Sequence, residues 1–433
     1  MEPTALVLWT CGLLGVLGVL SAVLPILEDA VVLGVAFLGI ALILDFVLAK
    51  SPKLIKVERV CDSRQIQGRE TTIQLRSFSP TRVNLHLVDT LPEGATSHYA
   101  SCDHVIHTGE EVTDSYSTVF HDRGTHPFGR MTLRTRGPLG LIRRRERRLL
   151  STNVHVVPDL VKAGTAAERF CRGRQERGNR REPMRQDGRE FESLREFQTG
   201  DDRRFMEWKA SARRMQWITR RLQPEQQQDI IIAIDHGRHL AGDLKRQSQR
   251  VRRLDVAVEG ALHLAATALL SRDRAGFISF ASDISSYVPP KNGRSHLSAF
   301  GDAALNCQLQ PQEADYGLVV RFIQTRVSKR SWIAFFTDVV DAASARAFVA
   351  ASSLLKQKHY ISVFAVGDPL LMAKASLEDD STHTRAARNL LDHRRQALAA
   401  IATTGVQVID LSQSLSPLPV MQSYSQLKKA GRL

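Results

Sequence analysis

The sequence predicts a multidomain protein in which an N-terminal transmembrane helical hairpin precedes an antiparallel β-sandwich-like domain and a C-terminal α/β domain. Three observations carry that prediction. Two apolar runs lie before residue 50, period-two alternation runs from about residue 55 to 158, and continuous apolar strands alternate with amphipathic helices after residue 225. A length of 433 residues suits two soluble domains with an appendage. With 43% hydrophobic and 24% charged residues, wholesale disorder and a polytopic transporter are both excluded. The net charge of +14 calls for an anionic neighbour, whether nucleic acid, acidic headgroups or an acidic protein surface. Cys11, Cys61, Cys102, Cys171 and Cys307 are scattered with no C-x-x-C pair, which reads as reduced thiols in a cytosolic compartment.

The hairpin comes first, over residues 1–50, with spans at about 5–24 and 30–49. The first run is uncharged and the second holds only Asp45. Each is about 20 residues, enough for a hydrocarbon core of roughly 30 Å. A signal peptide would begin with Lys or Arg, whereas Glu2 is the charge that precedes the first run. The connection carries Glu28 and Asp29 and the exit carries Lys50, Lys53, Lys56 and Arg59, so the positive-inside rule places both termini and the soluble domains on the cytoplasmic side. Gly12, Gly15, Gly18 and Ser21 form a shallow stripe suited to packing against the second span. Asp45, about one turn from the cytoplasmic end, is expected to turn its carboxylate to the interface.

Residues 53–160 form the β-rich domain. Alternation is clear in 70–76, 83–88 and 130–134, with turn signals at Leu91-Pro92-Glu93-Gly94 and Arg136-Gly137-Pro138-Leu139-Gly140. His104, His107, His121 and His126 fit no standard zinc spacing and read as structural or solvated. The run Arg143-Arg144-Arg145-Glu146-Arg147-Arg148 reads as protection of a strand edge, and it also suits acidic headgroups.

Residues 161–190 read as a basic linker, because 171–189 lacks hydrophobic periodicity. A nucleic-acid tether would interleave aromatics with the arginines to stack bases, and this stretch has none, so nucleic acid is an unlikely partner. Residues 188–224 carry a dense signature built from Gly188, Glu190, Phe191, Arg195, Gly200, Asp201, Asp202, Arg203, Arg204, Trp208, Lys209, Ser211 and Arg213. Asp201 or Asp202 with Glu207-x-Lys209 has the letters of a metal-dependent nuclease, but they crowd into one helix-like segment instead of adjacent strands. The signature reads as an ionic junction between domains or as a docking face. At these residues the chain resembles the bacterial domain-of-unknown-function family 58, membrane proteins often encoded beside MoxR-type AAA+ ATPases. The paired spans, Arg123-Gly124, Gly137-Pro138-Leu139-Gly140-Leu141, Val157-Pro158 and Gly367-Asp368-Pro369 agree with the resemblance. It implies a MoxR-like ATPase as partner.

Residues 225–415 read as the α/β domain, with 416–433 a tail. Apolar strands at 229–234, 276–280, 332–336, 360–366 and 406–409 alternate with helices, the pattern of a parallel sheet covered on both faces. Asp235 and Asp338 follow two of these strands and fall at the carboxyl-end rim, where such folds bind ligands. The domain looks like a von Willebrand factor A domain with a Rossmann-like layout. That resemblance implies an adhesion site for a divalent cation, built from Asp-x-Ser-x-Ser, a separate Thr and a later Asp. Here Asp235-His236-Gly237-Arg238-His239 lacks both hydroxyls, so Asp235, His239 and Asp338 form a degenerate metal site at most, with Mg2+ as the ion it would take. The alternative role for the two carboxylates is to accept loop amides or to pair with Arg238. No phosphate loop or nucleophile elbow is present. The expected function is a membrane-anchored adaptor or scaffold, not an enzyme, that engages partner proteins. The alternatives are a metal-dependent enzyme at the membrane surface and a nucleic-acid tether.

Overall fold

A computed structural model describes residues 2–97, 101–178, 190–198, 201, 203–223, 227–246, 249–377, 379, 381–412 and 415–431. The chain divides into two compact units, Met1–Val156 and Val157–Leu433.

The first unit opens with helix Ala5–Ser21, a 3-10 turn Pro25–Leu27 and helix Glu28–Leu48. The apolar helical stretch Glu28–Leu54 is long and apolar enough to cross a membrane, and Ala5–Ser21 is a shorter apolar helix. The two helices approach at Gly34, where an added Cβ would stand 2.8 Å from Leu14. Of the expected glycine stripe, Gly18 also meets the second helix, an added Cβ standing 4.0 Å from Val31. Beside Gly12 and Gly15 there is open space, because those two residues turn away from the second helix.

Two antiparallel sheets follow. One runs Glu2–Pro3, Ile142–Val157, Gly124–Arg136, Val83–Asp89, Ser101–Ile106, with Arg64–Ile66 added on Ile142–Val157. The other runs Lys56–Val60, Glu70–Phe78, Glu111–Phe120, Ala95–Ser97. Their alternating residues meet in one core that includes Ile73, Leu75, Leu85, Leu87, Phe120, Leu133 and Val154. Within it Arg59 makes a two-pronged ion pair with Asp89 at 2.6 and 2.9 Å, and Tyr116 donates to the same carboxylate at 2.6 Å. Three of the four imidazoles have separate partners, Asp114 for His104, Thr96 for His121 and the Asp122 carbonyl for His126, while the His107 backbone amide donates to Glu110.

Asp45 departs from its expected place. It is fully buried, and its carboxylate accepts the backbone N–H groups of Leu139, Leu141 and Ile142 at 2.7–2.8 Å. Three charge-assisted bonds outweigh the interfacial position the sequence suggested, and they offset the unfavourable placement of an anion at a helix C-terminus. Gly137 is required by this contact, since a Cβ there would stand 2.2 Å from the Asp45 carboxylate. The arginine run also serves the helix end: Arg144 donates to the Phe46 carbonyl at 2.8 Å and lies over its ring.

The second unit begins with a helix where a linker was expected. Leu160–Gly178 is helical, with Ala163 and Ala167 closed against the core. Leu160 packs beside them, but a face completed by two alanines gives only a weak apolar stripe among the surrounding charges. Residues 179–189 of the expected linker lie outside the described residues. The central sheet has the order Ile284–Lys291, Arg274–Phe280, Asp229–Asp235, Ser331–Thr337, Tyr360–Ala365, Gln407–Asp410, with only the first strand antiparallel. Helices including Arg253–Leu270 cover one face, and Tyr316–Arg326, Ala342–Lys356 and Thr382–Thr403 cover the other. The expected tail 416–433 is instead core: helix Leu418–Lys429 buries Val420, Met421, Tyr424 and Leu427, and Tyr424 stacks on Trp332 at 6.2 Å.

Candidate functional site

Strand Asp229–Asp235 is central and fully buried, so Asp235 arrives at the rim with no exposed atom to offer water. Both oxygens of its carboxylate accept from within the domain. The Gly237 amide donates to Oδ1 at 2.7 Å, and the Thr337 hydroxyl donates to Oδ2 at 2.6 Å. Tyr316 stands 2.9 Å from the same hydroxyl. Burial raises the Asp235 pKa, although the Thr337 and Gly237 donors oppose it. Burial beside that carboxylate raises Tyr316 as well. Gly237 fits because the chain passes close to Gln312, whose carbonyl would lie 2.8 Å from a Cβ.

Asp338, one residue beyond the neighbouring strand, is held by two arginines. Arg253, at the start of its helix, donates to Oδ2, and Arg394 donates to Oδ1 at 2.9 Å. Arg253 also reaches the His239 carbonyl at 3.0 Å and the Val366 carbonyl. Arg394 continues to Asp410 through bonds of 2.7 and 3.0 Å. Three strand ends are thus joined through two guanidinium groups.

The three expected metal residues do not assemble as a cage. His239 turns to Ser344, with its Nε2 at 3.4 Å from that hydroxyl. Arg238 pairs with Glu313, not with either rim aspartate. Among the described residues no three His, Cys, Asp or Glu side chains converge on one point. A hard divalent cation needs free oxygen ligands, and here guanidinium nitrogens already occupy both oxygens of Asp338, so the donor set does not fit Mg2+. Sequence reasoning missed the roles of Arg253, Arg394, Thr337, Tyr316 and Asp410, because the bonds that bring Arg253, Arg394 and Thr337 to the two aspartates span 56 to 102 residues.

The signature segment builds a second feature. Strand Glu190–Glu196 pairs antiparallel with Ile218–Gln223, and a 3-10 turn Arg203–Phe205 and helix Trp208–Arg214 lie between them. Ser211 fastens the helix to the strand by donating to the Glu207 carbonyl and accepting the Ile218 amide, both at 2.9 Å. Arg195 pairs with Asp201 at 2.6 Å, and Glu207 with Arg220. Lys209, Arg213, Arg203 and Arg204 are exposed, and Trp208 stands in solvent beside Trp217. Gly188, Gly200 and Asp202, and the side chains of Glu190 and Phe191, lie outside the described residues.

Residues 193–401 match the family described as protein of unknown function DUF58. Over that region the chain is similar to the DUF58 family. The DUF58 region takes in the signature helix, both rim aspartates and both rim arginines, and ends before Asp410 and the last helix. No curated protein matches the chain. Among solved structures, conserved hypothetical protein BatB from Bacteroides thetaiotaomicron is similar at 19% identity over 47% of this chain and 99% of that one, with a TM-score of 0.30. The CARDB domain of PF1109 from Pyrococcus furiosus is similar at 11% identity over 24% and 94%, with a TM-score of 0.18. A PapD-like domain of human CEP192 is similar at 13% identity over 25% and 90%, also at 0.18.

Proposed function

We propose that the protein is a membrane-anchored scaffold, with two N-terminal spans, cytoplasmic soluble domains, and a von Willebrand factor A-like α/β domain that binds partner proteins rather than catalysing a reaction. The observation that carries this reading is the internally paired rim. Asp235 and Asp338 are buried and each oxygen already accepts from Thr337, Gly237, Arg253 or Arg394, which argues against either carboxylate serving as a general base or metal ligand. Such a rim is a rigid surface. The strand order, with one antiparallel strand at the edge of a parallel sheet, supports the von Willebrand factor A-like assignment.

The partner we assign is a MoxR-like AAA+ ATPase, on the strength of the resemblance of the signature. The test is direct binding of the purified full chain, in detergent micelles, to a purified MoxR-type ATPase with and without ATP. Saturable binding that Arg238→Glu on the exposed lip of the crevice weakens would support the scaffold. An ATPase that fails to bind in every nucleotide state would remove that partner.

A further inference from the structure

Two tryptophans of the signature hairpin sit where soluble proteins seldom leave them. Trp208 is 64% exposed and Trp217 is 61% exposed, with ring centroids 5.9 Å apart in an edge-to-face arrangement. Met215, between them in sequence, is 89% exposed and has φ of 52°, a left-handed backbone that a non-glycine residue seldom adopts. Contiguous apolar surface of this kind marks a binding face. The face does not flex freely, because Ser211 and the Glu207–Arg220 pair lock the helix to the strand behind it.

Its helix is basic, with Glu196 the exposed carboxylate on the neighbouring strand. Lys209, Arg213 and Arg214 are exposed on the same short helix, while the neighbouring carboxylates Glu207 and Asp201 are neutralised by Arg220 and Arg195. Tryptophan flanked by Lys and Arg is the composition of a membrane–water interface, where the ring lies among headgroups and the cations meet anionic phosphates. The same chain carries Glu28–Leu54, an apolar helical stretch able to cross a membrane. Attachment there would keep the bilayer at high effective concentration, so a small docking patch suffices.

We propose that Trp208, Met215 and Trp217, with Lys209, Arg213 and Arg214, dock the DUF58 region onto an anionic lipid surface. The inference rests on the membrane anchoring proposed above and is independent of the rim and of the ATPase partner.

The test uses the full chain with Trp9→Phe, reconstituted into brominated phosphatidylcholine vesicles with or without phosphatidylglycerol. Trp332 is buried and serves as an unquenched internal reference for folding. The expected result is quenching of tryptophan emission when phosphatidylglycerol is present. High salt should relieve it, and it should be lost in Lys209→Glu/Arg213→Glu/Arg214→Glu and in Trp208→Phe/Trp217→Phe. Flotation of the chain with the vesicles is read in parallel. A chain that floats but is not quenched overturns the docking proposal alone and points to an acidic protein surface as occupant. Equal quenching without phosphatidylglycerol overturns the anionic assignment. A chain that does not float overturns the anchoring and the docking together.

Discussion

Arg394 donates its Nε proton to Oδ1 of Asp338 at 2.9 Å, and both side chains are nearly closed to water. Removing the guanidinium leaves a buried carboxylate short of one partner and frees Asp410 from two bonds. Breaking a buried pair from one side costs about 3 kcal/mol or more. Arg394→Met should therefore lower the thermal midpoint of the α/β unit, and the double variant with Asp338→Asn should recover part of the loss. Additive effects in that double-mutant cycle would contradict the coupling.

Acid should weaken the same network. Burial pushes the Asp410 carboxyl up, but the Arg394 bonds outweigh it and hold the group below the usual carboxylate range. A lowered folded value adds stability above the unfolded pKa of about 3.9, and that stability is lost as pH falls through the folded value. Asp235 is raised by burial, so its contribution has the opposite sign: it is complete below about 3.9 and lost as pH rises through the raised value. Thermal midpoints measured against pH should show a shallower acid limb in Asp410→Asn and a smaller loss on the rising side in Asp235→Asn.

Divalent ions should leave the protein unmoved. With Arg253 and Arg394 on Asp338, neither EDTA nor millimolar magnesium is expected to shift the melting temperature of the wild-type chain. A magnesium-dependent rise would show that the rim can exchange a guanidinium for an ion.

Tyr424 donates to Oδ2 of the fully buried Asp273 at 2.5 Å, and Lys428 donates to the same oxygen at 2.7 Å. Tyr424→Phe removes one donor and should cost about 1 to 2 kcal/mol. Tyr424→Ala also removes the ring stacked on Trp332 and should cost about 3 to 5 kcal/mol. Urea unfolding of the two variants distinguishes the contributions. Equal losses would mean that the stacking adds nothing.

Asp45 is expected to be intolerant of change. Asp45→Ala strands the amides of Leu139, Leu141 and Ile142, at about 1 to 3 kcal/mol for a buried donor left unpaired. Gly137→Ala presses a methyl group into the same carboxylate. Both should make the 137–142 turn susceptible to protease in the detergent-solubilised chain, while Gly12→Ala, which faces open space, should not.

Asp235 and Asp338 could be placed at the rim from sequence, since strand ends follow from apolar runs that stop at a carboxylate. Their partners could not. Arg253 and Arg394 sit in helices among many other arginines, and nothing local separates a guanidinium that turns inward from one that solvates a surface. The final helix does carry a sequence signal: Val420, Met421, Tyr424 and Leu427 recur at helical spacing on the buried side. Helix Leu160–Gly178 left little, because beyond Leu160 its fully buried contacts are the small Ala163 and Ala167. The signature strand Glu190–Glu196 was masked by its charged residues and by the helix that follows.

The clamp between Asp45 and the 137–142 turn makes helix Glu28–Leu48 and the β-sandwich a single mechanical part. Rotating the helix about its axis, or sliding it by one turn, would pull a carboxylate away from three amides that have no substitute acceptor. The sandwich is therefore obliged to follow the helix as a lever follows its shaft. A tilt imposed at the apolar end would emerge at the far rim of the sheets as a swing, with no hinge between them to absorb it.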